Sequence, residues 1–269
     1  MKKELNLMIT PAEFPVPLII LPETDSTNNY LTQLCNEQQS AVREFTTVIA
    51  ERQTAGKGQR GNSWESEDCR NITFSFVLYP TFIEARRQFI LSQIVSLSIK
   101  EELDQWTEGI SIKWPNDIYC HGLKLGSTFT QVASPPDRHG DVAVIFSVGV
   151  NLSVPADRLP TPESTSLRMH VAPLPPTAEL IDMIAARLVA SLRTRLEAFV
   201  QMPLIQSSRL RSEMRHVGWM MGRQIDAQLI DGRTIAGKVV SLNDDASISV
   251  RTASGETERL STGDIGLMV

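Results

Sequence analysis

Long apolar runs are missing from this sequence. No stretch approaches the roughly 18 apolar residues of a membrane-spanning helix, which excludes a helical membrane protein. Lys2 and Lys3 could begin a secretory signal, but Glu4, Asn6, Pro11, Glu13, Pro15 and Pro17 leave no apolar core behind them. Cysteine is scarce. Cys35, Cys69 and Cys120 are an odd set with no CxxC pair and no metal-ligand spacing, so they read as reduced thiols of a cytoplasmic protein, with no metal site expected. An excess of positive charge is also lacking: the net charge is −5, which argues against a general nucleic-acid surface. Two phosphate-binding fingerprints are absent as well. Gly56-Lys57 is not followed by Ser or Thr, and the glycine spacing fits neither a Walker A loop nor a dinucleotide GxGxxG.

What is present is an ordinary globular composition, 42% hydrophobic and 21% charged, over 269 residues. That length suits one large domain with a smaller one. The first strand is expected almost at the start, Leu18 to Leu21, with no room before it for a helix-turn-helix domain. Glu23-Thr24-Asp25-Ser26-Thr27-Asn28 follows, where Ser26 or Thr27 can cap a helix carrying Tyr30, Leu31, Leu34 and Cys35. The plain reading is a helix cap. The other is a ligand site, because hydroxyls and free backbone N–H groups meet there.

Phe45 to Ala50 is β-branched and reads as the next strand. It runs into Glu51–Trp64, where three glycines and the cations Arg52, Lys57 and Arg60 suggest either a flexible surface loop or a lid that approaches phosphate. Ile72, Phe74, Phe76 and Leu78 alternate as a returning strand, and Phe82 to Trp106 reads as a long helix buried on one face. Ile110-Ser111-Ile112 ends a strand at Lys113-Trp114-Pro115-Asn116-Asp117. Pro115 turns the chain there, and Lys124 comes shortly after. Two lysines, an amide and a carboxylate at a strand end can hold an anion and manage a proton. Val142 to Val150 reads as a continuous, largely apolar strand, as expected for a central buried one. It ends at Gly149-Val150-Asn151, which is either a plain turn or a place where backbone and amide meet a ligand.

Leu152 to Pro176 is expected to be irregular. Thr177 should then cap a helix whose Leu180, Ile184, Leu188, Leu192 and Leu196 form a core face. A boundary falls near Val217-Gly218. Beyond it Gln224–Ile230, Thr234–Leu242, Ser247–Thr252 and Thr257–Leu260 read as short strands of a small closed barrel, one that props or completes the larger domain rather than an independent binding module, which is the other reading.

Taken together, Asp25-Ser26-Thr27-Asn28, Gln53 through Gly61 with Trp64, Lys113 through Asp117, Lys124-Leu125-Gly126 and Gly149-Val150-Asn151 resemble the biotin protein ligases, in that family's order. The resemblance implies an α+β fold: a mixed sheet flanked by helices, like the class II aminoacyl-tRNA synthetase and biotin–lipoate ligase cores, then an SH3-like barrel. The domains would be 1–216 and 217–269. It implies the activity of a biotin–[acetyl-CoA-carboxylase] ligase, with ATP and biotin as substrates and Mg²⁺ as cofactor. Biotinyl-5'-AMP would form first, and biotin would then pass to a lysine of a biotin carboxyl carrier domain. A lipoate or octanoate ligase and a degenerate biotin-binding protein are the alternatives. Lys124, Lys113, Asp117 and Arg60 would be catalytic. Ser26, Thr27, Asn28, Gln53, Gly56, Lys57, Gly58, Gln59, Trp64 and Lys124 would bind biotin. Lys57, Arg60, Trp64, Lys113, Asn116 and Asn151 would bind ATP or the adenylate. An exposed sheet edge would pair in a homodimer or dock the carrier. This chain departs from the family pattern at Gln59, where many members carry arginine, and at Ser127, where a glycine is expected.

Overall fold

The computed structural model describes residues 16–37, 42–58, 63–64, 70–84, 89–134, 142–218, 220–229, 232–261 and 264–267. Gln59, Arg60, Gly61 and Asn62 lie outside the described residues, as does Cys69.

Seven strands build the main sheet. In chain order they are β1 (Leu18–Thr24), β2 (Thr47–Gln53), β5 (Asn71–Leu78), β6 (Ile110–Lys113), β7 (Asp117–Cys120), β8 (Leu123–Ala133) and β9 (Ala143–Asn151). Between β2 and β5 stands a separate hairpin, β3 (Gly56–Lys57) with β4 (Ser63–Trp64). The spatial order is β1-β2-β5-β9-β8-β7-β6, with β1 parallel to β2 and the other pairs antiparallel. The expected mixed sheet is thus observed. The second strand starts at Thr47 rather than Phe45, which stands in a turn at φ +62°.

Helix α1 (Thr27–Glu37) covers one face of this sheet. Helices α2 (Phe89–Leu103), α3 (Thr177–Gln201) and α4 (Pro203–Val217) lie on the other side. β5 shows why both faces can be covered. Ile72, Phe74, Phe76 and Leu78 point into the large core under α2 and α3, while Val77 joins Leu31, Cys35, Val48 and Ile145 under α1. Burying each large apolar side chain contributes about 1.5–3 kcal/mol, so the alternation fixes the strand's register.

The expected long helix is shorter. Phe82 lies in a turn and α2 begins at Phe89. It is also buried on more than one face. Ser92, Gln93, Ser96 and Ser98 are enclosed along with its apolar residues. Small polar residues read as a solvent face, but α3 and α4 close over them. Helix α4 was not foreseen, because Leu210 and Met214 are its buried residues among a mostly polar sequence. Thr177 does not cap α3: Pro176 holds the cap position, and the Thr177 hydroxyl pairs with Ser153 Oγ at 2.7 Å. No helix among the described residues is long and apolar enough to cross a membrane.

The C-terminal strands are β10 (Gln224–Gln228), β11 (Thr234–Leu242), β12 (Ile248–Thr252), β13 (Thr257–Leu260) and β14 (Asp264–Leu267), in the antiparallel order β13-β12-β11-β10-β14. The fifth strand went unread in the sequence. The barrel expectation is corrected in one respect: the sheet is open, because no pairing joins β13 to β14 among the described residues. Its inner side chains, Ile225, Val239, Ile248 and Val250, belong to the same core as α2 and α3.

Two turns lock the sheets together. Trp114 follows β6, packs edge-on against Phe89 and donates its indole N–H to the Ala246 carbonyl at 2.8 Å. Ala246 sits in the β11–β12 turn, where Arg215 also donates to Leu242 O at 3.2 Å and Arg211 pairs with Asp244. Trp114→Phe keeps the packing but leaves a buried carbonyl unpaired, so stability should fall by about 1–3 kcal/mol, measured by urea unfolding. The same turn responds to acid. Burial alone would raise the Asp245 carboxyl, but hydrogen bonds from Arg259 and Ser247 outweigh it and bring it down to about 2. The folded value lies below the ordinary 3.8, so ionised Asp245 stabilises the fold above that pH, and its contribution fades as pH falls from 3.8 to about 2. Urea midpoints across this window should fall for the wild type and flatten in Asp245→Asn.

Candidate active site

The site begins where β1 meets α1. Ser26 is the cap: its Oγ accepts the Asn28 N–H at 3.2 Å, and its own N–H is held by Asp25 Oδ1 at 2.7 Å. The amide of Asn29 donates to the same carboxylate and, against a burial effect, holds Asp25 below its usual range. Thr27 faces inward. Its N–H and its hydroxyl both donate to Gln53 Oε1, at 2.8 and 3.0 Å.

From Thr27 a buried chain of hydroxyls crosses the sheet. Thr27 Oγ1 lies 2.7 Å from Ser75 Oγ, Ser75 lies 2.8 Å from Ser147 Oγ, and Asn28 Nδ2 donates to Ser147 at 2.8 Å. Each hydroxyl donates once, so the direction is fixed: Asn28 to Ser147, Ser147 to Ser75, Ser75 to Thr27, Thr27 to Gln53. Ser75 and Ser147 were not singled out from the sequence. The available signal was one serine interrupting the apolar run of β9.

Above this floor is a small cavity. Ser26, Gln53, Lys57 and Trp64 line one side, and Thr73, Ser127, Phe129, Ser147 and Gly149 the other. Its volume is about 20 Å³, room for roughly one water molecule. The Trp64 indole closes it by lying flat on β9. A Cβ on Gly149 would stand 2.5 Å from Trp64 Cε2, so glycine is what admits the ring. Gly56 admits the Trp64 backbone and the Gln53 amide instead, with 2.4 Å from its would-be Cβ to Trp64 O and 2.6 Å to Gln53 Nε2. Thr73 Oγ1 and Trp64 Nε1 are buried in the walls without a hydrogen-bond partner. An unpaired buried polar atom costs about 1–3 kcal/mol, and two around one cavity mark a place built to meet a polar ligand.

The strand-end cluster joins this cavity through the sheet register. Lys113 pairs with Asp117, Asp117 with Ser127, Ser127 with Gly149 and Gly149 with Thr73. Residues in one register row share a face, so the row runs from the cations straight to the cavity floor. Lys124 enters this face because of a bulge. The β7–β8 register shifts between Ile118 and Tyr119, so that Tyr119 stands opposite Lys124 rather than Leu125. Leu125 turns into the core, and Lys124 Nζ reaches Asp117 Oδ1 at 2.9 Å. Its strand is held from behind, since Lys124 N donates to Glu163 O at 2.7 Å and Thr165 N to Lys124 O at 2.8 Å. Lys113 donates to the Tyr119 hydroxyl at 3.4 Å. Burial, Asp117 and Glu163 push that phenol up to about 12, so it stays neutral beside the lysine.

The structure therefore brings Ser26, Thr27, Gln53, Gly56, Lys57 and Trp64 to the cavity or its rim, and Lys113, Asp117 and Lys124 to the adjoining row. Asn28 supports the floor, its Oδ1 buried and without a partner. Gly58 directly follows β3. Two predicted contacts are engaged elsewhere. The Asn116 amide donates to Thr128 O and locks the turn. Asn151 accepts from Asn71 at 2.9 Å and donates to Thr165 O at 3.0 Å.

In its architecture the chain has the fold of the biotin protein ligases. The biotin protein ligase from Aquifex aeolicus, solved in complex with biotin and ATP, superimposes with a TM-score of 0.75 at 23% identity, over 93% of this chain and 98% of that one. Residues 20–151 match the model of the Biotin/lipoate A/B protein ligase family. A biotin–[acetyl-CoA-carboxylase] ligase of Mycobacterium tuberculosis is 26% identical over 92% of this chain and 88% of its own length. The bifunctional ligase/repressor BirA of Salmonella typhimurium is 29% identical over 68% of this chain, which spans about half of that relative, 54%.

Proposed function

We propose that this chain is an ATP-dependent biotin protein ligase, with a catalytic domain at 1–216 and a supporting domain at 217–269. The observation that carries the reading is the register row that joins Lys113, Asp117 and the bulge-turned Lys124 to the polar cavity. In the first half-reaction the biotin carboxylate attacks the α-phosphorus of ATP. A P–O bond forms, pyrophosphate leaves with the electron pair, and the product is the mixed anhydride biotinyl-5'-AMP. Two anions must meet, so positive charge is needed on both sides of the new bond. Lys124 pairs with Asp117, Lys113 with Tyr119 opposite Lys124, Lys57 lines the cavity, and Arg60 is the fourth cation proposed. In the second half-reaction a carrier lysine attacks the acyl carbon and AMP leaves. That amine must lose a proton, and Asp117 is the carboxylate placed to orient or accept it.

Ser26, Thr27 and Gln53 offer the donors and acceptors that a ureido ring requires when buried, while Trp64 and Phe129 cover apolar atoms. Trp64 must lift for a bicyclic ligand to enter. The β3–β4 hairpin would then close over the adenylate and keep water from hydrolysing it. For Mg²⁺, the described residues do not form a cage: Asp117 is already neutralised by Lys124. The ion expected with ATP would take its oxygens mainly from phosphate and water. The partner would be a biotin carboxyl carrier domain and the location cytoplasmic. The edges of the main sheet, β1 and β6, are where a second copy or the carrier could pair.

The test is biotin-dependent exchange of labelled pyrophosphate into ATP, run beside the same assay with lipoate. Exchange with biotin alone supports the reading. Exchange with lipoate alone moves the chain to the sister activity, and none from folded protein with Mg²⁺ makes it a binder. Asp117→Asn should lower transfer to the carrier at least tenfold more than it lowers exchange. Equal losses would remove Asp117 from the second step.

A further inference from the structure

The far end of the β7–β8 hairpin carries a second group of reactive side chains, which ligation does not use. Cys120 ends β7 and is fully buried. His121 follows in the turn, exposed, at φ +49°, and its N–H donates to Gly109 O at 3.0 Å. His170 arrives from a different part of the chain, just after the 3₁₀ turn Leu167–Met169. The two imidazole centroids are 5.1 Å apart, and the Cys120 sulfur and one nitrogen from each ring all lie within 4.8 Å of one another.

The surroundings orient His170. The Thr165 hydroxyl lies 2.7 Å from His170 Nε2 and donates to Met169 Sδ at 3.7 Å. In the tautomer that carries its proton on Nε2, His170 donates to that hydroxyl and keeps the lone pair on Nδ1 for a metal. A ring held at its far nitrogen by an outer partner is the usual arrangement of a metal-binding histidine.

We propose that Cys120, His121 and His170 bind one divalent ion of the zinc class, with water in the fourth position. One thiolate and two imidazoles make a borderline-soft donor set, which suits zinc and cobalt and not the oxygen-seeking magnesium or calcium. Tetrahedral zinc asks its ligand atoms to stand roughly 3.5 Å apart, so the cluster must contract by about 1 Å, which the exposed His121 side chain can supply by rotation. On binding, the Cys120 S–H gives its proton to solvent and an S–metal bond forms. The ion is a staple and not a reagent. It ties the β7–β8 turn to the 163–170 segment, whose main chain grips Lys124 on both sides.

The probe is Co²⁺ added to the full chain after chelator treatment. One equivalent should bind and give a thiolate-to-cobalt charge-transfer band in the near ultraviolet, together with the visible bands of a four-coordinate ion. Cys120→Ser should lose the charge-transfer band, while Cys35→Ser keeps it. His121→Gly removes an imidazole at a positive φ that glycine accepts, and should weaken binding at least tenfold, as should His170→Gln. Zn²⁺ should displace the cobalt and raise the melting temperature, and Mg²⁺ should do neither. A missing thiolate band, a band that survives Cys120→Ser, or unchanged affinity in His121→Gly overturns the site. If Cys120→Ser does not fold by circular dichroism, His121→Gly decides.

Discussion

Lys124→Met should lower biotin-dependent pyrophosphate exchange by about 10²–10³-fold, the usual loss when one preorganised charge at a reacting anion is removed. The fold should hardly notice. The Lys124 side chain is 38% exposed and its ion pair with Asp117 is of the partly solvated kind. Such pairs contribute at most about 1 kcal/mol to stability, so the melting temperature should move by only a few degrees. The same ammonium is worth far more when a carboxylate and a polyphosphate are pressed together beside it. A fall in exchange of less than threefold, with binding of both substrates retained, would place the reacting phosphate elsewhere in the cleft.

The second large effect is expected at Gly149. Even one added carbon there would stand 2.5 Å from the Trp64 indole, and the backbone of a central strand cannot retreat. Gly149→Val suits a strand by propensity but drives Trp64 off the cavity and fills its floor. Biotin affinity should fall by about 10–100-fold, as overpacking by 1–3 kcal/mol would give, measured by calorimetry. A double variant separates the causes. If the indole is what the new side chain displaces, Gly149→Val should cost less in a Trp64→Ala background. Full additivity would mean that the valine blocks the ligand directly.

How far these residues could be read in advance follows from their physics. The alternation in β5 was legible because a strand with both faces covered still separates aromatic from small polar positions. The strand-end cluster was legible because Lys113 and Asp117 sit four residues apart around a proline turn. The hydrogen-bonded floor was half legible. Ser26 and Thr27 stand beside a helix start, but Ser75 and Ser147 matter only because β5 and β9 pair in one register, which no local pattern reveals. Lys124 was legible as the second lysine of that cluster and took its role from the resemblance, while the bulge that aims it depends on a slip of one residue against β7. Helix α4 escaped because its burial comes from α2, α3, β6 and the second sheet, not from its own apolar stripe. The Cys120 cluster escaped for a related reason: spacing rules look for ligands near one another in the chain, and His170 is supplied by the fold.

The indole hydrogen bond from Trp114 to Ala246 also bears on how the protein is made. Its partners are 132 positions apart. The sheet from β1 to β9 is complete in sequence by Asn151, and those strands can pair as they leave the ribosome. The turn that carries Lys113 and Asp117 cannot find its anchor until the β11–β12 turn has emerged. A nascent chain halted before that point would own the cavity and lack a fixed strand end. On the proposed function, synthesis would complete the cavity first and anchor the lysine-bearing turn afterwards.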